Sequence, residues 1–155
     1  MANHNKKLIV FDTDGVIFKS QLLLRISRSA GILNYLRTLF LCFLFSINLI
    51  NVRELLDRVY VMFRGLKEDD LWQVYYSMRQ VKYVEETIRC IRDRGNCVAL
   101  VSSGIPDFLM KHISGRLNAN CGYWIGKKMD NGVFAGKVGG LLSSPDGKVR
   151  LLNSC

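Results

Sequence analysis

The chain has 155 residues, of which 49% are hydrophobic and 23% are charged, and its formal net charge is +9. This length predicts one domain with a core large enough to fold on its own, and the composition excludes a disordered chain. The positive charge favours anionic partners, namely phosphorylated metabolites, anionic lipid headgroups or nucleic acid. Nucleic acid ranks last among them, because the basic residues are scattered and form no recognised nucleic-acid module.

The cysteines and the N-terminus indicate in which cellular compartment the protein is expected. The five cysteines are odd in number and lack Cys-x-x-Cys spacing, which predicts reduced thiols rather than a disulfide framework or a zinc site. The apolar run before the first acidic residue is too short for a signal peptide. We therefore expect a cytoplasmic protein, with association with a membrane as the alternative.

The first element in chain order is a short strand that ends in two carboxylates. Residues 8–11 are apolar and predict a buried strand, and Asp12, Asp14 and Gly15 follow directly. Carboxylates at the carboxyl end of a buried parallel strand lie where open α/β sheets bind ligands. Asp and Gly are also the usual residues of turns, so this motif by itself fits an ordinary turn equally well.

Helical patterns follow, up to the next strand. Residues 20–50 are largely apolar and predict helix, and residues 53–64 carry apolar side chains at helical spacing. Two further helices are predicted over 69–80, which begins with acidic residues, and over 85–94, which a glycine follows. The region between the first two strands is therefore expected to be helical.

Residues 38–52 form a run without any charge, apolar on every side in its middle. A helix of this kind must be buried somewhere, and the run is shorter than the ~20 residues that cross a bilayer. We favour packing inside the helical unit or at a dimer interface. The alternative is a hairpin that dips into a membrane surface, with flanking arginines at the headgroups. These are Arg25, Arg28, Arg37, Arg53 and Arg58.

A second buried strand is predicted from residue 97 and ends in Ser102, Ser103 and Gly104. Hydroxyls and backbone N–H groups at such a strand end can form a nest for an anion. Pro106 suits the first turn of the next helix, whose N-terminus could also face a phosphate. The alternative is a serine-containing loop without a ligand.

Together these motifs resemble the haloacid dehalogenase superfamily, and residues 131–138 resemble a hairpin of its phosphoserine-phosphatase-like branch. The resemblance implies a Mg²⁺-dependent phosphatase. In it Asp12 is the nucleophile and a metal ligand, while Asp14 is the general acid/base and binds the metal through its backbone carbonyl. These roles suit the chemistry, because a carboxylate can accept a phosphoryl group, a second acid protonates the leaving oxygen, and Mg²⁺ prefers oxygen ligands.

The resemblance also assigns phosphate-binding residues. Ser102 would donate a hydrogen bond to the phosphoryl group, and Ser103 and Gly104 would add backbone N–H groups. Lys148, in a turn that runs into a predicted helix, lies where the branch has a lysine that neutralises the phosphate. Phosphoserine phosphatases carry a glutamate that holds the substrate amine, and Gln21 takes that position here. Since a neutral amide pairs less well with an ammonium group, phosphoserine is disfavoured as the substrate.

The fold implied is α/β, with a Rossmann-like three-layer core around a parallel sheet and a helical cap inserted after the first strand. The core is expected in residues 1–18 and 83–155, and the cap in 19–82. The family's last acidic motif, Gly-Asp-x-x-x-Asp, and its remaining strands follow the lysine and do not occur in this sequence. We therefore expect an incomplete core.

The expected function is hydrolysis of a phosphomonoester, either a small phosphorylated metabolite or a lipid phosphate, through an aspartyl-phosphate intermediate. The alternative is an inactive relic that serves as a membrane-associated or protein-binding module. Both acidic residues of the first motif favour the enzyme, whereas the missing acidic motif favours the relic.

Overall fold

The computed structural model describes residues 6–102, 104–124, 126–130 and 133–139. Five strands and six helices occur in these ranges. The strands are β1 Leu8–Asp12, β2 Cys97–Ser102, β3 Cys121–Trp124, β4 Gly126–Asp130 and β5 Val133–Gly139. The helices are α1 Leu22–Ser29, α2 Ile32–Ser46, α3 Val52–Met62, α4 Glu68–Tyr76, α5 Val84–Asp93 and α6 Asp107–Arg116.

The central feature is a parallel sheet with the strand order β1-β2-β3. Leu8 lies opposite Cys97, and Ala99 lies opposite Cys121 in the next pair. α5 packs against β2, and α6 packs against β3. Parallel neighbours require crossover connections, which helices usually supply. The predicted α/β class with a parallel sheet is thus confirmed.

β1 is less buried than its sequence predicts. Leu8 and Val10 are exposed, while Ile9 and Phe11 are half-buried. By contrast, β2 is buried from Val98 to its last residue. The prediction of a buried first strand is wrong for the described part of the chain, where β1 pairs with β2 alone and forms the edge of the sheet.

The helical stretch predicted over residues 20–50 contains two helices. The chain breaks between α1 and α2 at Gly31, whose φ is +117°. Glycine adopts this conformation readily and other residues rarely do. The three later helical predictions are confirmed, although α4 ends at Tyr76, four residues before the predicted end at residue 80.

α2 lies on the surface of the helical region, which contradicts the prediction of packing inside it and leaves the dimer interface and the membrane surface as predictions. Thr38 is its one fully buried residue. Large apolar side chains along the opposite side are exposed, among them Phe40 and Phe43. The uncharged composition of this segment gave no sign of which side would face outward, because nearly every side is apolar.

The segments that lead into and out of the helical region run side by side. The Lys19 N–H donates to the Arg79 carbonyl at 3.0 Å, and the Val81 N–H donates to the Ile17 carbonyl at 2.9 Å. These pairings lie close to the predicted cap boundaries at 19 and 82, and the division into cap and core stays a prediction. β4 and β5 form an antiparallel pair, as the hairpin resemblance predicts.

Candidate active site

The two sequence motifs meet at the carboxyl edge of the sheet. Asp12 is the last residue of β1 and lies opposite Val101, and Ser102 is the last residue of the neighbouring β2. Parallel strands place their carboxyl ends at one edge, which is where open α/β sheets bind ligands. Side chains that are 90 positions apart in the sequence therefore belong to one site.

Both carboxylate oxygens of Asp14 accept hydrogen bonds. The Leu22 N–H, at the start of α1, donates to Oδ1 at 3.0 Å, and the Ser102 hydroxyl donates to Oδ2 at 3.3 Å. The turn that carries it needs Gly15, whose φ is +80° and whose N–H donates to the Phe18 carbonyl at 2.9 Å. A partly buried carboxylate fixed in this way is suited to proton transfer at a defined place.

Asp12 is more open to solvent than Asp14. Its Oδ1 accepts a hydrogen bond from the Thr13 N–H at 3.0 Å, and its side chain is exposed. The described residues contain no cluster of three or more His, Cys, Asp or Glu side chains that could hold a metal ion. The exposed Asp12 carboxylate fits Mg²⁺ nevertheless, because this ion is often bound by one or two carboxylates together with water and substrate phosphate oxygens.

The loop after β2 is packed closely around Asp14. The Gly104 N–H donates to the Ser102 hydroxyl oxygen at 3.0 Å. A Cβ atom added at Gly104 would lie 3.0 Å from Asp14 Oδ2, so this position accepts no side chain without displacing the carboxylate. A phosphoryl oxygen would compete with Ser102 for the Gly104 N–H.

Comparisons with known proteins agree with this fold. No family model matches the chain. A phosphoserine phosphatase of Archaeoglobus fulgidus is 25% identical over 154 residues, which is 97% of this chain and 43% of that protein. A substrate-bound phosphoserine phosphatase complex superposes with a TM-score of 0.87 at 22% identity, over 98% of this chain and 71% of the other.

Two further solved structures share the fold. A phospho-aspartyl intermediate analogue of phosphoserine phosphatase has a TM-score of 0.85 at 23% identity, over 96% of this chain and 70% of the other. A hydrolase of the haloacid dehalogenase family from Salmonella enterica has a TM-score of 0.83 at 15% identity, over 96% of this chain and 50% of the other. The chain is similar to phosphoserine phosphatases and shares the fold of these haloacid dehalogenase-type structures. It spans less than half the length of the curated relative that it matches.

Sequence reasoning missed one residue of this candidate site. Tyr60 on α3 is buried, and its hydroxyl donates to the Gly104 carbonyl at 3.2 Å. Burial, and to a smaller degree the charge of Asp14, raises the pKa of Tyr60 well above its usual range. A signal was present, because Tyr60 lies four positions after Leu56 on the buried side of α3, and a buried tyrosine hydroxyl needs a partner.

The remaining predicted residues stand apart from this group or outside the described residues. Gln21 is exposed and immediately precedes α1, next to Leu22, whose N–H binds Asp14. Pro106 precedes α6 by one residue instead of lying in its first turn. Ser103 and Lys148 lie outside the residues that the structure describes.

Proposed function

We propose that this chain carries the phosphoryl-transfer site of a phosphomonoester hydrolase. The observation that carries the proposal is the hydrogen bond from Ser102 to Asp14, which joins the acidic motif after β1 to the hydroxyl motif at the end of β2. An acidic residue of this kind beside an exposed carboxylate and a phosphate-binding loop suits group transfer to the carboxylate.

In the first step, a carboxylate oxygen of Asp12 attacks phosphorus, and the bond from phosphorus to the leaving oxygen breaks. Asp14 gives its proton to that oxygen, so that an alcohol leaves and Asp12 carries the phosphoryl group. In the second step, Asp14 takes a proton from water, and the resulting hydroxide attacks phosphorus. Inorganic phosphate leaves, and both residues return to their starting state.

The exposure of Asp12 leaves its carboxylate accessible to both a substrate and a metal ion. By resemblance to the family, the Asp12 carboxylate and the Asp14 backbone carbonyl would hold Mg²⁺. When bound, the ion offsets the repulsion between the carboxylates and the substrate phosphate. When substrate binds, the Ser102 hydroxyl would turn its one hydrogen from Asp14 Oδ2 to a phosphoryl oxygen. Ser103, Gly104 and Lys148 would complete the phosphate contacts.

The substrate class that we propose is a small phosphorylated metabolite or a lipid phosphate. Gln21 argues against phosphoserine itself, since its neutral amide replaces the charge that would pair with the substrate amine. Its place just before α1, beside the Leu22 N–H that binds Asp14, lies close enough to the acidic motif for a specificity role.

The test is hydrolysis of p-nitrophenyl phosphate by the purified protein, with Mg²⁺ and with a chelator. We expect any turnover to require Mg²⁺ and to be lost in Asp12→Asn. The matched control is Asp57→Asn on α3, which removes an exposed carboxylate paired with Arg53 at 3.9 Å and should leave turnover unchanged. If Asp12→Asn hydrolyses the substrate at a rate close to that of an active wild type, the proposal is wrong.

A second protein in the same assay addresses the inactive alternative. In it, this chain is joined to the C-terminal part of a phosphoserine phosphatase, which supplies the family's last acidic motif. Turnover that appears or rises in the fusion supports the proposed roles of Asp12 and Asp14. A well-folded fusion without any turnover would favour the relic that acts as a binding module.

A further inference from the structure

α2 presents a continuous apolar surface to solvent. Leu33, Leu36, Phe40, Phe43 and Ile47 follow one another at intervals of three or four residues, so they lie on one side of the helix. All five are exposed, and four of them by more than half. We call this set the outer apolar stripe. Contiguous exposed apolar side chains of this size mark interaction sites in soluble proteins.

The opposite side of α2 is fixed to the rest of the helical region. The Ser27 and Thr38 hydroxyl oxygens lie 2.8 Å apart between α1 and α2, and both side chains are fully buried. Thr38 also donates to the Asn34 carbonyl at 2.8 Å. Because this buried polar contact holds one side of α2 inward, the outer apolar stripe is held outward.

The surroundings of the stripe are exclusively basic in sequence. Between Asp14 and Glu54 the chain contains no acidic residue. The charged residues in this interval are Lys19, Arg25, Arg28, Arg37 and Arg53. All five are exposed. An apolar surface on a segment whose exposed charges are all positive is complementary to a layer that is apolar inside and anionic at its surface.

We propose that α2 docks on the surface of a bilayer that contains anionic lipids. The outer apolar stripe would enter the boundary between headgroups and acyl chains, and the arginines would contact the headgroups. α2 has 15 residues and is thus about 22 Å long. Within the described residues no helix has the length and apolarity needed to cross a bilayer, so the helix would lie in the plane of the interface.

A second copy of the chain fits this surface less well. Closed dimers are mostly two-fold symmetric, so the same patch meets itself. Arg37 borders the stripe, one residue after Leu36 and three before Phe40. A symmetric dimer would bring the two Arg37 side chains and the other cations of this interval towards each other. The interval contains no acidic residue that could pair with them.

The test is co-sedimentation with vesicles of phosphatidylcholine alone and of phosphatidylcholine mixed with phosphatidylglycerol. We expect binding to the mixed vesicles, weaker binding to the neutral ones, and a loss of binding at high salt. Sedimentation velocity of the protein without vesicles reports its oligomeric state. A folded protein that binds neither kind of vesicle, whether it is a monomer or a dimer, would overturn the proposal.

Two variants separate the apolar and the electrostatic contributions. The double variant Phe40→Asp, Phe43→Asp should abolish vesicle binding and keep its far-UV circular dichroism spectrum, because both side chains are exposed. The matched control places aspartate at two other exposed apolar positions, Val61 and Tyr76, and should still bind. Binding by the double variant at the wild-type level would contradict the docking surface.

The triple variant Arg25→Gln, Arg28→Gln, Arg37→Gln should weaken binding to the mixed vesicles by about 10²-fold and change binding to neutral vesicles little. Its matched control replaces three exposed cations elsewhere with glutamine. These are Lys82, Arg89 and Arg94. An equal loss in both triple variants would mean that net charge, rather than the α1–α2 surface, determines binding.

Discussion

The Tyr60 hydroxyl donates a hydrogen bond to the Gly104 carbonyl over 3.2 Å, and both residues are buried. This contact ties α3, in the helical region, to the loop that follows β2. The same loop carries the Gly104 N–H that binds Ser102. The position of the proposed phosphate-binding loop therefore depends on a helix 44 residues away in the sequence.

Replacing Tyr60 with phenylalanine should lower both stability and turnover. The loss of one hydrogen bond is worth about 0.5–1.5 kcal/mol of unfolding free energy, and a less fixed Gly104 should reduce kcat more than it changes KM. Urea denaturation and steady-state kinetics measure the two effects. Tyr76→Phe, at an exposed tyrosine, is the control, and equal behaviour of the two variants would contradict the supporting role.

The same substitution should change how stability depends on pH. Burial, followed by the charge of Asp14, raises the pKa of Tyr60 above its reference value of 10.0. Above about pH 10, the unfolded chain loses this proton and the folded chain keeps it, so the unfolded state binds fewer protons and stability falls. The wild type should lose up to about 1.4 kcal/mol more per pH unit than Tyr60→Phe. Equal slopes in denaturation above that pH would refute the account of Tyr60.

Gly104→Ala should impair turnover without unfolding the protein. The added Cβ would lie 3.0 Å from Asp14 Oδ2, and displacing that carboxylate by a few tenths of an ångström should reduce kcat by about tenfold. The control is Gly115→Ala on α6, where a Cβ meets nothing within 4 Å and improves helix propensity. Unchanged kcat in Gly104→Ala would show that Asp14 needs no such fixed position.

Asp14→Asn and Ser102→Ala should differ in severity. The first removes the proposed general acid/base, a loss of ~10²- to 10⁴-fold in kcat for a substrate with a poor leaving group. The second removes one hydrogen bond to Asp14, whose Oδ1 still accepts a hydrogen bond from the Leu22 N–H. We therefore expect kcat to fall by only about tenfold. Kinetics on an alkyl phosphate measure both, and the reverse order would contradict the roles proposed.

The acidic and hydroxyl motifs could be predicted from sequence because both depend on local patterns. An apolar run followed at once by Asp12 and Asp14, and another followed by Ser102, identifies two strand ends. Topology then brings such ends to one edge of a sheet. The contact of Tyr60 with Gly104 could not be predicted in this way, because no periodicity along α3 reveals which loop lies opposite.

The exposure of β1 was not predicted, and the sequence left the exposure of α2 open, for another reason. An apolar run predicts burial, but burial depends on which neighbours cover the element. β1 is the edge of the described sheet and leaves Val10 exposed. α2 is apolar on nearly every side, and its inner side carries the Ser27–Thr38 contact together with Leu41, Cys42 and Leu44, which pack against the core. The sequence pattern does not reveal which of these sides the neighbouring elements cover.

Covalent labelling of Asp12 tests the central claim most directly. In Asp14→Asn, p-nitrophenyl phosphate should still phosphorylate Asp12, because nitrophenolate leaves without a proton, whereas hydrolysis of the intermediate needs the missing base. Acid quenching and peptide mass spectrometry, with Mg²⁺ present, should locate the phosphoryl group on Asp12 and find none when Asp12→Asn is added. A label on another residue, or hydrolysis by the wild type without any label at Asp12 in the variant, would contradict the account.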